Sequence, residues 1–158
     1  MPTIESRLKD MGITLPASAP PVGNYVPYVI TGNLLVISGQ LPLGADGAIA
    51  PGHKGKLGQD LFNEAGQSAA RQCAINILGQ AKAALGKLSR IERCVRLGGF
   101  INAGPNFHAI AAVMNGASDF MVAALGEARG RHARYAVGVA ELPLDAAVEI
   151  EAMFEIKP

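Results

Sequence analysis

Two long stretches of the chain place apolar residues three or four positions apart, a spacing that predicts two amphipathic helices. The first covers residues 62–85, and Gly86 follows it as a suitable positive-φ cap. The second covers residues 110–125, with Asn106 as its candidate N-cap. Gly116 lies inside this second stretch, where glycine costs about 1 kcal/mol relative to alanine. We therefore expect a bend or a close helix crossing at Gly116.

The remaining regular segments alternate apolar and polar residues, which predicts strands. Residues 25–37 are interrupted by Gly32 in a Thr-Gly-Asn sequence, so we expect two strands joined by a tight turn. Further strands are predicted over residues 93–100, 135–140 and 146–156. The resulting order is β-β-α-β-α-β-β, which is typical of an α+β domain with helices packed on one face of a sheet.

The beginning of the chain differs in character from the rest. A short amphipathic helix is predicted to end near Gly12, and the Pro- and Ala-rich residues 16–23 have the composition of a linker. We therefore divide the chain into a helical extension and linker, residues 1–22, and a single globular domain, residues 23–158. Removal of residues 1–15 is expected to leave this domain folded.

Composition narrows the class of protein. Of 158 residues, 49% are hydrophobic but only 5% are aromatic, so the core must gain its burial from many small side chains, and such chains often oligomerise. The net charge of +1 provides no field that attracts nucleic acid or a membrane surface. No apolar run is long enough to span a bilayer, and no signal peptide precedes the domain. The expected location is the cytoplasm.

Motifs for metal binding or nucleotide binding are absent from the sequence. The histidines His53, His108 and His132 are scattered, and no paired Cys or His has ligand spacing, so we expect no metal site. Cys73 lies on the apolar stripe of the first long helix and Cys94 lies near the start of a strand. Both are interpreted as buried structural thiols rather than reactive ones.

The strand that begins near Arg134 carries the clearest chemical feature. By strand alternation Arg134 shares a face with the small residues Ala136 and Gly138, which leaves open space beside a planar cation. This arrangement suits a small carboxylate ligand, because arginine binds carboxylates with two parallel hydrogen bonds. The alternative is a structural salt bridge with a strand glutamate. The last strand offers a row of glutamates on one face, of which Glu151 and Glu155 are interpreted as its solvent side.

Two segments resemble a known family. The first runs from Gly-Asn-Tyr-Val at residues 23–26 to Ile-Ser-Gly-Gln-Leu-Pro at residues 37–42. The second is Ala-Arg-Tyr-Ala-Val-Gly-Val-Ala-Glu-Leu-Pro at residues 133–143, followed by Val-Glu-Ile-Glu-Ala at residues 148–152. Together with the element order, they resemble the YjgF/RidA family, the reactive-intermediate imine and enamine deaminases.

The resemblance implies a chorismate-mutase-like fold that forms a homotrimer with clefts between subunits. Members of the family hydrolyse enamines and imines such as 2-aminoacrylate to 2-keto acids and ammonia, without a cofactor. By motif, Arg134 matches the arginine that holds the substrate carboxylate, and Glu149 matches the glutamate that orients water at the imine carbon. Tyr25 and Ser38 match positions that line the cleft. A small imine or carboxylate is the implied partner.

The chain also departs from the family pattern. His132 replaces the usual proline before Ala-Arg, and Tyr135 replaces a small hydroxyl residue, so Tyr135 is expected to reshape the substrate pocket. The N-terminal helix and the loop over residues 43–58 are longer than in compact members, which indicates a divergent branch. Two alternatives remain: a trimer that binds small carboxylates without turnover, and an RNA-directed role that uses the basic residues 129–134. Near-zero net charge and few aromatics argue against RNA.

Overall fold

A computed structural model describes residues 1–17 and 23–158 of the chain. The described residues form the helices and strands that the hydrophobic pattern predicts, with one additional short helix. The helices are α1 (Ile4–Asp10), α2 (Asn63–Leu85), α3 (Ile110–Leu125) and α4 (Glu127–Gly130), and the strands are β1 (Tyr28–Thr31), β2 (Leu34–Gln40), β3 (Ile91–Asn102), β4 (Ala133–Val139) and β5 (Val148–Ile156).

The five strands form one sheet in the order β1-β2-β5-β3-β4. Strand β3 pairs in parallel with β4, whereas the other neighbours are antiparallel. Helices α2 and α3 pack on each other and on the same face of the sheet. The predicted α+β class, with helices on one face, is confirmed. Within the described residues, the other face of the sheet has no helix over it, and it is called the open face below.

The core lies between the sheet and the helix layer. Alternate residues of β5, from Val148 to Ile156, are buried against the helices, while the residues between them point to the open face. In the helix layer, a Cβ atom on Gly116 would overlap the backbone carbonyl of Gln67 on α2. The predicted close crossing is therefore confirmed, because only glycine leaves room for the two backbones at this distance.

Helix α1 contributes to the same core. Thr3 and Ser6 form a reciprocal capping box at its start. Its apolar side chains Ile4 and Leu8 are 2% and 4% exposed and belong to the main hydrophobic cluster. The composition of residues 1–22 predicts a helix outside the domain core, whereas the structure packs α1 against that core. The predicted linker 16–23 falls largely on residues 18–22, outside the described residues, and the proposed domain boundary stays a prediction.

Two boundaries differ from those predicted. Asn106 is not an N-cap: its φ of 62° places it in a turn, and α3 begins later, at Ile110. Strand β1 begins at Tyr28 rather than at residue 25. Pro27 precedes it and has no N–H to donate to a strand ladder, although its carbonyl accepts from the backbone of Ser38 at 2.9 Å.

Candidate functional site

Glu149 lies over an irregularity in the sheet. The pairing of β2 with β5 shifts register between Ile37 and Gln40, which produces a bulge at Ser38 and Gly39. A Cβ atom on Gly39 would overlap the carboxylate of Glu149, so the side chain occupies the space that the glycine leaves free. The Ser-Gly-Gln sequence therefore positions an acidic group from the neighbouring strand.

Glu149 itself is half-buried. Its neighbour across β3 is Phe100, and desolvation by burial raises the pKa of the Glu149 carboxyl. A carboxyl group with a raised pKa releases and accepts protons more readily near neutral pH than an exposed one. Glu149 is therefore suited to act as a general base towards a water molecule and then as an acid towards a leaving group.

Ser38 is part of the bulge below this carboxylate, and the segment that contains Tyr25 is joined to it. The Ser38 hydroxyl donates to the carbonyl of Val26 at 2.8 Å, which ties the segment before β1 to the bulge. Tyr25 immediately precedes Val26, and it is 57% exposed. The structure thus groups Tyr25, Ser38 and Glu149 at one end of β2, and we call these three residues the acidic half-site.

Arg134 faces the helix layer at the edge of the sheet. Its Nη1 donates to Asn115 Oδ1 at 2.9 Å and to Ser118 Oγ at 3.0 Å, and its Nη2 donates to the carbonyl of Ala111 at 3.3 Å. All three acceptors are neutral groups of α3. Among the described residues, Arg134 forms no ion pair, so the alternative of a structural salt bridge with a strand glutamate is not what the structure contains.

Sequence reasoning did not find the three α3 residues that hold Arg134. They are spaced at i, i+4 and i+7 and so form one stripe of the helix, which contains two polar side chains, Asn115 and Ser118. Only the packing of α3 beside β4 shows that this polar stripe faces an arginine. We call Arg134 with Ala111, Asn115 and Ser118 the arginine half-site.

Tyr135 lies on the open face, opposite to Arg134. Its hydroxyl donates to Glu151 at 3.2 Å, and its ring meets the Phe100 ring edge to face, with centroids 5.9 Å apart. Desolvation, followed by the charge of Glu151, raises the Tyr135 pKa, so the phenol remains a donor. Glu151 also accepts from Arg96 at 3.0 Å, which corrects its interpretation as a solvated side chain. Tyr135 therefore shares the open face with Glu149, whereas Arg134 lies on the helix-covered face.

The two half-sites do not meet within one chain. In the register of the sheet, Arg134 is paired with Leu97 of β3, whereas Glu149 is paired with Phe100, three residues further along β3. Two strand spacings and three residue steps amount to about 10 Å in each direction. The two side chains also leave opposite faces of the sheet. One substrate molecule therefore cannot contact both within a single subunit.

The thiols and histidines form no second reactive centre. Cys73 and Cys94 are buried, as predicted, and burial raises the pKa of Cys94 to about 12 and that of Cys73 well above its ordinary value. In residues 1–17 and 23–158, no three His, Cys, Asp or Glu side chains are grouped closely enough to hold a metal ion. The same residues contain no helix long and apolar enough to cross a membrane.

Comparison with known proteins assigns this fold to a family. An α+β sheet of this order with both helices on one face is that of the chorismate-mutase-like class. The family model described as "YjgF/chorismate mutase-like, putative endoribonuclease" matches residues 5–155. The chain therefore belongs to the YjgF family, and the resemblance to YjgF/RidA proteins is confirmed.

Individual relatives extend over nearly the whole chain. Protein TCP17 of Trypanosoma cruzi is 47% identical over 153 residues, which cover 97% of this chain and 94% of the relative. The crystal structure of Atu1372 from Agrobacterium tumefaciens, whose function is unknown, is 50% identical with a TM-score of 0.89, covering 99% and 94% of the two chains. RidA from an Antarctic Psychrobacter is 29% identical with a TM-score of 0.58, covering 90% and 94%. The lower TM-score agrees with a divergent branch.

Proposed function

We propose that this protein hydrolyses reactive imines and enamines of small 2-amino acids to 2-keto acids and ammonia. The proposal rests on the surroundings of Arg134, a cation that neutral groups hold in place and that has no carboxylate partner among residues 1–17 and 23–158. Such a cation is ready to bind the carboxylate of a ligand. Membership of the YjgF family and the likeness to RidA support the same substrate class.

The reaction requires only binding, orientation and proton transfer. An enamine such as 2-aminoacrylate tautomerises to its imine, and water then adds to the imine carbon. Glu149 takes a proton from this water as its oxygen bonds to the carbon, and passes that proton to the imine nitrogen to give a carbinolamine. Glu149 then transfers the carbinolamine hydroxyl proton to the amine, so that the C–N bond breaks, the C=O of the 2-keto acid forms and ammonia leaves. Desolvation raises the pKa of Glu149 and so suits it to both transfers. Arg134 contributes by holding the carboxylate beside the reacting carbon.

The proposal includes assembly into a homotrimer, because one chain separates its half-sites. A second subunit has to bring its acidic half-site to the arginine half-site of the first. The open face supports such an assembly, since Val29, Tyr135 and Val137 are 50%, 39% and 44% exposed there. Apolar side chains gathered on one uncovered face mark an interaction surface.

The direct test measures the release of ammonia from imines that a second enzyme generates in the assay mixture. An amino-acid oxidase or a serine dehydratase would supply the imine, and the rate of ammonia and 2-keto acid formation would be measured with and without the protein. We expect a protein-dependent acceleration that is lost in both Arg134→Ala and Glu149→Gln. A folded wild-type protein that leaves the spontaneous rate unchanged would refute the deaminase proposal. A wild-type protein that binds pyruvate but does not accelerate ammonia release would be a carboxylate-binding protein without turnover.

Mixing the two inactive variants tests the shared site. Arg134→Ala and Glu149→Gln chains with different tags would be co-expressed, and assemblies that carry both tags would be isolated. In a trimeric ring that contains both chain types, one interface of the three joins an intact arginine to an intact glutamate, which is about a third of the sites. About that share of wild-type activity is expected in the mixed sample. The control is a mixture of Arg134→Ala chains under both tags, which should stay inactive.

RNA binding is a second candidate, supported by the family description as an endoribonuclease and by one cavity. A cavity of about 540 Å³ at the start of β4 is lined by Arg93, Arg131 and His132 among others. If this surface binds RNA, affinity for a short oligonucleotide should fall steeply with salt and should fall further in Arg93→Ala. Absence of binding at low salt would exclude this candidate.

A further inference from the structure

A second hydrogen-bond layer lies behind Arg134. His132 Nδ1 is 2.6 Å from the carbonyl oxygen of Gly130, and His132 Nε2 is 2.9 Å from Ser118 Oγ. A carbonyl oxygen only accepts, so Nδ1 carries the ring proton, and Nε2 of the neutral imidazole has to accept. The Ser118 hydroxyl therefore donates to His132.

This direction of donation determines what Ser118 offers to Arg134. With its proton turned towards His132, the hydroxyl presents its lone pairs to Arg134 Nη1, 3.0 Å away. Asn115 Oδ1 accepts from the same Nη1 at 2.9 Å, so both protons of this nitrogen are engaged. The chain of donors and acceptors runs in one sense from Arg134 through Ser118 and His132 to Gly130.

The edge of Arg134 that remains free follows from this arrangement. A guanidinium has five N–H donors. Two are on Nη1, and one on Nη2 is directed to Ala111, so three are engaged with α3. The N–H of Nε and the second N–H of Nη2 have no acceptor in the described part of the chain. Nε and Nη2 are the two nitrogens with which arginine binds a carboxylate side-on.

We infer that Ser118 and His132 are positioning residues that fix Arg134 so that it presents its Nε and Nη2 donors to a substrate carboxylate. The inference rests on the proposed function for the nature of the ligand. It also accounts for the presence of a histidine at position 132, because the proline that typical family members have there possesses no side-chain nitrogen. In this chain the arginine is oriented by a half-buried relay rather than by its own rotamer preference alone.

The test compares carboxylate binding in variants of the relay. Ser118→Ala removes the acceptor, His132→Phe keeps a ring without nitrogens, and Ser118→Thr restores a hydroxyl. The matched control is Ser68→Ala, because Ser68 Oγ and His53 Nε2 form another Ser–His contact of 2.9 Å, on α2 and away from Arg134. Pyruvate is the probe, titrated by calorimetry into each assembled protein.

We expect Ser118→Ala and His132→Phe to weaken pyruvate binding by roughly ten- to a hundred-fold, the usual effect of losing orientation at a binding group. Ser118→Thr should recover most of the affinity, and Ser68→Ala should match the wild type. Isotope-edited NMR of the Arg134 guanidinium gives an independent reading. Its Nη protons should exchange with water faster in both relay variants, whether or not pyruvate is present.

The outcomes separate this inference from the proposed function. Unchanged pyruvate affinity together with unchanged guanidinium exchange in folded Ser118→Ala and His132→Phe would overturn the inference, even if the wild type hydrolyses imines. A wild type that binds no pyruvate would overturn it as well. Wild-type pyruvate binding that depends on Ser118, without ammonia release from imines, would support the inference and refute the deaminase.

Discussion

Arg134 and Glu149 project from opposite faces of the same five-stranded sheet, on strands β4 and β5, which β3 separates, and about three residue steps apart along the strand direction. The cation is held against α3, whereas the carboxylate lies on the bulge at Gly39. The two groups to which the proposed reaction assigns roles therefore lie on two separate surfaces of one chain. In the proposed assembly, the smallest unit that unites them contains two subunits.

The mass of the protein in solution provides the first prediction. Light scattering after size-exclusion chromatography should give about three times the chain mass of 16.4 kDa. The physical reason is the exposed apolar open face together with the separated half-sites. A monomer at micromolar concentration, or a dimer that is fully active, would contradict the trimeric shared site.

The second prediction concerns the shape of the cation at position 134. Arg134→Lys keeps the charge but has no planar fork, and its single nitrogen cannot reach Asn115, Ser118 and a ligand together. It should therefore lose almost as much activity as Arg134→Ala, on the order of 2–4 kcal/mol, which corresponds to roughly two to three decades in kcat/KM. Steady-state imine hydrolysis by folded variants measures this. Wild-type rates in both variants would exclude a catalytic role for Arg134.

Glu149→Gln should lower activity but raise stability at neutral pH. The loss should fall on kcat, because the amide cannot take a proton, while pyruvate binding to Arg134 is retained. Burial raises the Glu149 pKa above its ordinary value of 4.5, so the native state binds this proton more tightly than the unfolded state. The wild type should consequently lose stability as pH rises from about 4.5 through the folded pKa, whereas the variant should not.

Thermal unfolding of both proteins across this pH range is the measurement. The variant should be the more stable protein at neutral pH, and the difference should shrink under acid. A wild type that gains stability relative to Glu149→Gln as pH rises would show that Glu149 has a favourable partner in the assembled protein.

Two glycine-to-alanine substitutions should have contrasting effects. In Gly39→Ala the new methyl overlaps the end of the flexible Glu149 side chain, which moves away at little cost, so activity should fall at least tenfold with little loss of stability. In Gly116→Ala the methyl overlaps the backbone of Gln67, which cannot move freely. Overpacking of about 1–3 kcal/mol then exceeds the gain of about 1 kcal/mol in helix propensity.

Denaturant unfolding and imine hydrolysis, measured on both glycine variants, give the comparison. Equal stability losses in the two proteins would contradict the assigned contacts.

Helix α1 should contribute measurably to stability. Leu8 is 4% exposed in the main core, so Leu8→Ala should lower the free energy of unfolding by about 2–4 kcal/mol. Exposed Lys9 provides the control, since Lys9→Ala should change it by less than about 0.5 kcal/mol. Removal of residues 1–15 should cost more than Leu8→Ala, because it also deletes Ile4. Equal melting curves for Leu8→Ala and wild type would show that α1 is not part of the cooperative unit.

The sequence by itself determined the elements, the fold class and the family. The period of apolar residues located α2 and α3, and the strand pairs were visible because alternation is a local property of the chain. Strand alternation and motif resemblance together selected Arg134, whereas the resemblance alone selected Glu149. Their roles stay predictions, although the structure gives both residues surroundings that suit them. All of these signals come from residues that are close to one another in the sequence.

Tertiary structure alone decided which groups surround each of these residues. The bulge that seats Glu149 on Gly39 depends on the register between β2 and β5, strands separated by more than a hundred positions. The relay from Arg134 to His132 depends on how α3 packs beside β4, and the core position of α1 depends on a distant surface. The period of apolar residues shows which face of a helix or strand is apolar, but it does not show which other element packs against that face. That choice is made by long-range packing, where shape and hydrogen-bond satisfaction select one arrangement among many.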